Sequence, residues 1–187
     1  MLLLPGEPVP VRLMNTIWAD RGGVHDALVD VGDLRAWLGS VDGTPGGRLE
    51  RTDVDAFRTL RDAFRRLAAL VTEDTRPAAA TDLDVEPAVA HVNHAVTRGL
   101  SWPQLGLHRG QLEQRSAGTA TTATQTLSAI ASEAVHLFTG DDRARLRACH
   151  APGCVLYFVK DHPRREWCST ACGNRARAAR HYRRHHA

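Results

Sequence analysis

A chain of 187 residues holds one domain of ordinary size plus a small module, and roughly 70% of its unfolded surface can be buried, so the main domain needs no disulfide staples. Aromatic residues make up only 5%, so alanine, leucine and valine must fill most of the core. No run of 18 apolar residues occurs, which excludes a membrane-spanning helix. The apolar start, Met1 to Leu4, is too short for a signal peptide and is broken by Pro5 and Glu7, so a cytoplasmic protein is expected.

In chain order, residues 10–19 read as a strand around Ile17 and Trp18, ended by Gly22-Gly23. Asp33 is placed to cap a short helix with Leu34, Trp37 and Leu38 at helical spacing, stopped by Gly39. Residues 40–50, rich in glycine and holding Pro45, form a loop. Thr52 or Asp53 then caps the longest helix, reaching about Val71. Its apolar positions Val54, Phe57, Leu60, Phe64, Leu67 and Val71 share one face. Arg58, Arg61, Arg65 and Arg66 line its other faces, where a solvated surface is the expected role.

A polar break from Thr72 to Thr81 contains Pro77, and a helix follows from Glu86-Pro87 to Arg98. Leu100 to Ser116 reads as a two-stranded hairpin. A helix from Thr121 to Thr139 closes the body, with Leu127, Ile130, Ala131, Ala134, Leu137 and Phe138 inward and Gly140 at its end. A short helical link, Arg143 to Arg147, leads into Cys149. The expected fold is α+β: a mostly helical N-terminal domain with a few strands over residues 1–140, and a zinc module over 143–187.

Charge divides along the same line. From Arg143 onward eleven basic residues face two acids, Asp161 and Glu166, a net +9; the whole chain is +3, so the rest is −6. An acidic body with a basic tail points to a polyanionic partner for the tail. Lys160 is the only lysine among the 24 basic residues, which with the many alanines points to a GC-rich bacterial coding sequence.

All four cysteines lie in the basic segment. Cys149-x4-Cys154, thirteen residues, then Cys168-x3-Cys172 is the spacing of a structural zinc site, not of a CxxC redox motif. Pro152 and Gly153 supply a tight turn that points both sulfurs inward. Val155 to Val159 reads as a strand, Lys160 to Pro163 as a turn and Arg164 to Trp167 as the partner strand, before a helix whose first turn carries Cys172. A knuckle, a hairpin and a ligand-bearing helix make a treble-clef-like finger. Four thiolates leave one zinc ion no open position, so the metal is structural.

Cys172-Gly173-Asn174-Arg175 spells CGNR. With Arg147-Ala148-Cys149, Pro152-Gly153-Cys154, Phe158, and Arg164 to Ser169 leading into it, the stretch from Leu146 to Arg184 resembles the bacterial CGNR zinc fingers. In that family the finger follows an N-terminal domain called ABATE, and members are predicted to be stress-induced transcription regulators. Met14-Asn15-Thr16, Asp33-Leu34 and Trp37-Leu38 resemble the start of the ABATE domain. The resemblance implies a DNA-binding regulator. The chain departs from the family pattern at Val159 to Pro163, where the family's turn is longer and rich in Asp, Ser and Asn.

After Cys172 the helix carries Arg175, Arg177, Arg180, Arg183 and Arg184, which can neutralise phosphates or read guanine edges. Arg175 has an alternative role, bracing the finger from inside. Gly173 is expected to permit close packing and Trp167 to be core. His91 and His94 lie one turn apart with no third ligand evident, and the loop around Gly43, Gly46 and Gly47 lacks a phosphate-loop ending. No catalytic constellation is recognisable, so no enzyme is expected. The favoured reading is a regulator whose body senses a small-molecule effector or forms a homodimer while the finger binds duplex DNA. The alternative is an adaptor whose finger binds protein or RNA.

Overall fold

The computed structural model describes residues 4, 6–42, 47–76, 83–118 and 120–186. Residues 43–46 of the expected loop at 40–50 and residues 77–81 of the break around Pro77 lie outside them, while residues 40–42 are helical. Among the described residues are six α-helices and three two-stranded antiparallel sheets.

Helix α1 (Val9–Met14) opens the body, where a strand was expected. Its Pro10, Val11, Leu13 and Met14 are all buried, so no polar face marks the helical period, and neighbouring elements hold it. The strand reading survives only at β1 (Ile17–Asp20), which pairs with β2 (Gly23–Asp26) across the expected glycine turn.

Helix α2 (Val31–Asp42) runs through Gly39 rather than stopping there. Its start is a reciprocal cap: the Asp33 carboxylate accepts the N–H of Asp30 at 3.2 Å, and the Asp30 carboxylate accepts the N–H of Asp33 at 2.9 Å. Helix α3 (Arg51–Thr72) starts the same way, its Asp53 carboxylate accepting the Glu50 N–H at 2.8 Å. Helix α4 (Val85–Arg98) and helix α5 (Thr122–Thr139, capped by the Thr121 hydroxyl) match the predicted spans. Between them stand β3 (Ser101–His108) and β4 (Gln111–Gly118), the predicted hairpin.

A 3-10 turn (Asp141–Arg145) leads into β5 (Leu146–Ala148), and β6 (Tyr157–Val159) pairs with it. Two expectations are corrected here. The link to Cys149 ends as a strand, and the partner of Tyr157–Val159 lies upstream at Leu146–Ala148, not downstream at Arg164–Trp167. The eight residues from Cys149 to Leu156 connect the two strands, so the knuckle lies in the hairpin's turn. Helix α6 spans Thr170–His186.

Packing does not stop at residue 140. One apolar core contains Leu13, Leu34, Phe57, Phe64 and Leu127 together with Leu146, Ala148, Tyr157 and Val159. A second core around the cysteines contains Phe158 and draws in Ile17 and Trp18 of β1. The two-residue period of β6 explains this: Tyr157 and Val159 face the body, and Phe158 faces the finger.

Candidate zinc centre and basic helix

The four sulfurs of Cys149, Cys154, Cys168 and Cys172 lie within 4.8 Å of one another, all on buried residues. Sulfurs about 2.3 Å from a tetrahedral zinc stand about 3.8 Å apart. Cys154 and Cys168 meet that at 3.8 Å, and Cys168 and Cys172 approach it at 3.4 Å. The donor set therefore fits one structural zinc ion.

Local backbone chemistry aims the sulfurs. The Cys149 N–H donates to Leu156 and the Cys154 N–H to Ala151, both at 2.9 Å, which closes the knuckle. Gly153 turns it with φ +70°, a conformation that suits glycine. The Ser169 hydroxyl caps α6 by accepting the Cys172 N–H at 3.3 Å. Gly173 lets the helix approach Trp167, since a β-carbon there would stand 3.1 Å from the indole.

Thiolates around zinc leave net negative charge, and the surroundings answer it. The Cys149 sulfur accepts the Cys168 N–H at 3.5 Å. The Arg175 guanidinium donates to the Cys172 sulfur at 3.1 Å, and this bond raises the Arg175 pKa against the opposing effect of burial. Hydrogen bonds from Cys154 and Cys168 lower Cys149 to about 7, and those from Cys149, Cys154 and Cys168 lower Cys172. Cys154 and Cys168 are driven up, first by their bonds with Cys149. Four crowded thiols cannot all ionise without a cation to share.

The body braces this centre through residues that the sequence reading passed over or placed in solvent. Arg76 donates to the carbonyls of Cys149 and Cys154, both at 2.7 Å, and is itself held by Asp74 at 2.6 Å. Asp74 also accepts the Tyr157 hydroxyl at 2.9 Å. Arg65, expected on a solvated face, is buried and donates to Met14 and Val155 carbonyls at 3.1 and 3.3 Å. Arg61 is buried as well and pairs with Asp26 at 2.6 Å, while Arg58 reaches the same carboxylate at 3.4 Å. Asn15 donates to the Tyr157 carbonyl and accepts its N–H, each at 2.9 Å. Glu7 accepts the Val159 N–H at 2.7 Å and Arg165 at 2.6 Å. Nothing local in the sequence marks these residues, whose partners lie tens of positions away.

Helix α6 changes character after Ala176, its last buried residue. Arg177, Arg180, Arg183 and Arg184 are exposed, and among the described residues none pairs with a carboxylate. Arg177 bonds the Asn174 side chain. Arg177, Arg180 and Arg184 follow one another at i, i+3 and i+7, a single stripe. Arg175 points elsewhere, to the sulfurs. His91 and His94 are exposed, and no third metal-binding side chain joins them among the described residues. No described helix is long and apolar enough to cross a membrane.

A mostly helical α+β body carrying a four-cysteine cluster defines a zinc-finger protein. The model of the ABATE family, described as "putative stress-induced transcription regulator", matches residues 7–141. The model of the CGNR zinc finger matches residues 145–185. The chain belongs to the ABATE family and carries a CGNR zinc finger at its C-terminal end. No curated protein matches it. Neither family is described as an enzyme.

Proposed function

We propose that the protein is a cytoplasmic transcription regulator that binds duplex DNA through the exposed part of α6. The observation that carries this reading is the row of exposed arginines, Arg177, Arg180, Arg183 and Arg184, without carboxylate partners among the described residues, on a helix that the zinc site anchors at one end. From Arg177 to His185 the helix runs about 14 Å and is polar nearly all round, and the major groove, about 12 Å wide, admits a helix of about 10–12 Å diameter. Arg175 braces the zinc site instead of contacting DNA. A cleft of about 330 Å³ beside the sulfurs, lined by Trp18, Asp20, Ser169 and Arg175, offers a place where an effector acts on the finger directly.

Four phosphate contacts make log affinity fall against log salt with a slope of about −3.6. Changing Arg180, Arg183 and Arg184 together to alanine flattens that slope by up to about 3. Titration of the zinc-loaded chain against duplex DNA, RNA and salt tests this. A flat salt response ends the DNA reading, and tighter binding to RNA or to a protein replaces it with an adaptor.

A further inference from the structure

Two apolar surfaces of the body stand without a partner among the described residues. The first is on the β3–β4 arm. Arg109 and Gly110, both with positive φ, close its two-residue turn, and the strands pack chiefly on each other. Their register puts Pro103, Leu105, Leu107, Leu112 and Gln114 on one face, while His108, Glu113 and Arg115 fall on the other. Leu105, Leu107 and Leu112 are 72%, 67% and 71% exposed. An isolated two-stranded hairpin is marginally stable in water, and a leucine face left bare makes it more so.

The second surface is a groove of about 220 Å³ between three helices. Leu70 and Val71 of α3, Val89 and Val92 of α4, and Val135 and Phe138 of α5 line it. Leu70, Val89 and Val135 are exposed, and no lining residue is ionisable. The arm springs from the end of α5 at Thr122, whereas Val135 lies thirteen residues along that helix, about 20 Å away. The chain's own arm does not fold back across that distance, since Leu105, Leu107 and Leu112 stay exposed. The arm is about 26 Å long, enough to span the body of a second copy laid the opposite way.

We infer that the leucine face of the β3–β4 arm docks in the α3–α4–α5 groove of a second copy of this chain, and that the second copy's arm docks in return. Both surfaces are uncharged, so neither desolvates a charge on the other, and a two-fold axis makes the exchange reciprocal. An arm face about 26 Å by about 10 Å covers roughly 260 Å². Four such faces are covered in the dimer, about 1,000 Å², the lower bound of a specific interface. The inference is independent of DNA binding, because its readout is mass alone.

Light scattering and sedimentation of the zinc-loaded full chain test it. The expected mass is twice 20.5 kDa. Leu105→Glu with Leu107→Glu on the arm, and separately Val89→Glu in the groove, each weaken the dimer at least tenfold, since each buries a charge. All three positions are exposed, so a thermal melt matching the parent shows that folding is intact. Mixing the arm variant with the groove variant restores one good arm facing one good groove, and heterodimers appear that neither variant forms alone. A parent that stays monomeric at every concentration overturns the inference. So does an arm variant that still dimerises, or a groove variant that dimerises normally while the arm variant does not, which would mean arm-to-arm contact.

Discussion

Between Leu146 and Cys172 the zinc module is held against the body by guanidinium groups with partners: Arg65 and Arg76 of the body donate to carbonyls of Val155, Cys149 and Cys154, and Arg165 of the module joins its own Val159 and Cys168 carbonyls to Glu7. Past Ala176 the same residue type is exposed, without a carboxylate partner among the described residues. Five donors in a rigid fork satisfy several carbonyls at once, which suits arginine to bracing a buried loop. A charge that cannot be lost suits it equally to meeting phosphates. Burial decides whether the donors are spent inside the molecule, and the head and tail of one short module differ in that respect.

Removal of zinc should have the largest effect on this contrast. Zinc-finger sites draw on the order of 10–16 kcal/mol from the metal. Because Tyr157 and Val159 belong to the body core, chelation should lower the melting temperature of the whole chain, not only unfold the finger. Calorimetry with and without chelator, beside elemental analysis showing one zinc per chain, measures it. A body melt unmoved by chelation would mean that head and body are energetically separate.

Truncation after Gly140 comes next. Judged by its helical faces, the body should close on itself. The shared core leads to the opposite expectation: the truncated chain loses Leu146, Ala148, Tyr157 and Val159 and takes the Tyr157 partner from Asp74 and Asn15 and the Val155 carbonyl from Arg65. Each large buried side chain contributes about 1.5–3 kcal/mol against a total stability of about 5–15 kcal/mol. The truncated chain should therefore melt without cooperativity. A sharp calorimetric transition would restore the independent body.

Single substitutions sharpen the comparison further. Asp74→Ala leaves the Arg76 guanidinium without its carboxylate and should cost about 3–5 kcal/mol. Acid acts on the same pair. Burial alone would raise Asp74, but bonds from Arg76 and Tyr157 outweigh it and hold the carboxyl below its usual value. Its contribution is complete above the ordinary aspartate pKa and is lost as pH falls through the lowered one. Glu7 runs the other way. Burial raises its pKa despite the Val159 and Arg165 bonds, so the contribution is full below the ordinary glutamate value and is lost as pH rises through the raised one. Melting temperatures of Asp74→Asn and Glu7→Gln against pH should change slope in opposite directions.

The smallest effect on stability belongs to the tail. Arg180→Ala, Arg183→Ala and Arg184→Ala combined should shift stability by only about 0.5 kcal/mol per site or less, since all three are exposed. A large loss in urea denaturation would show that the tail helix packs on something after all.

Local chemistry was legible in the sequence. Ligand spacing and thiolate preference identify Cys149, Cys154, Cys168 and Cys172, because a tetrahedral ion constrains residues close along the chain. Amphipathic periods identify α3 and α5, and turn residues identify the β3–β4 arm, because each depends on neighbours a few positions apart. The contacts that join finger to body were not legible. Asn15 meets Tyr157 across 142 positions, and Arg65 meets Val155 across 90. An arginine reads as solvated until carbonyls from distant segments surround it, and only the assembled core brings those carbonyls there. A strand's partner is likewise set by which backbone groups the fold leaves open, so β6 took Leu146–Ala148 rather than the adjacent Arg164–Trp167.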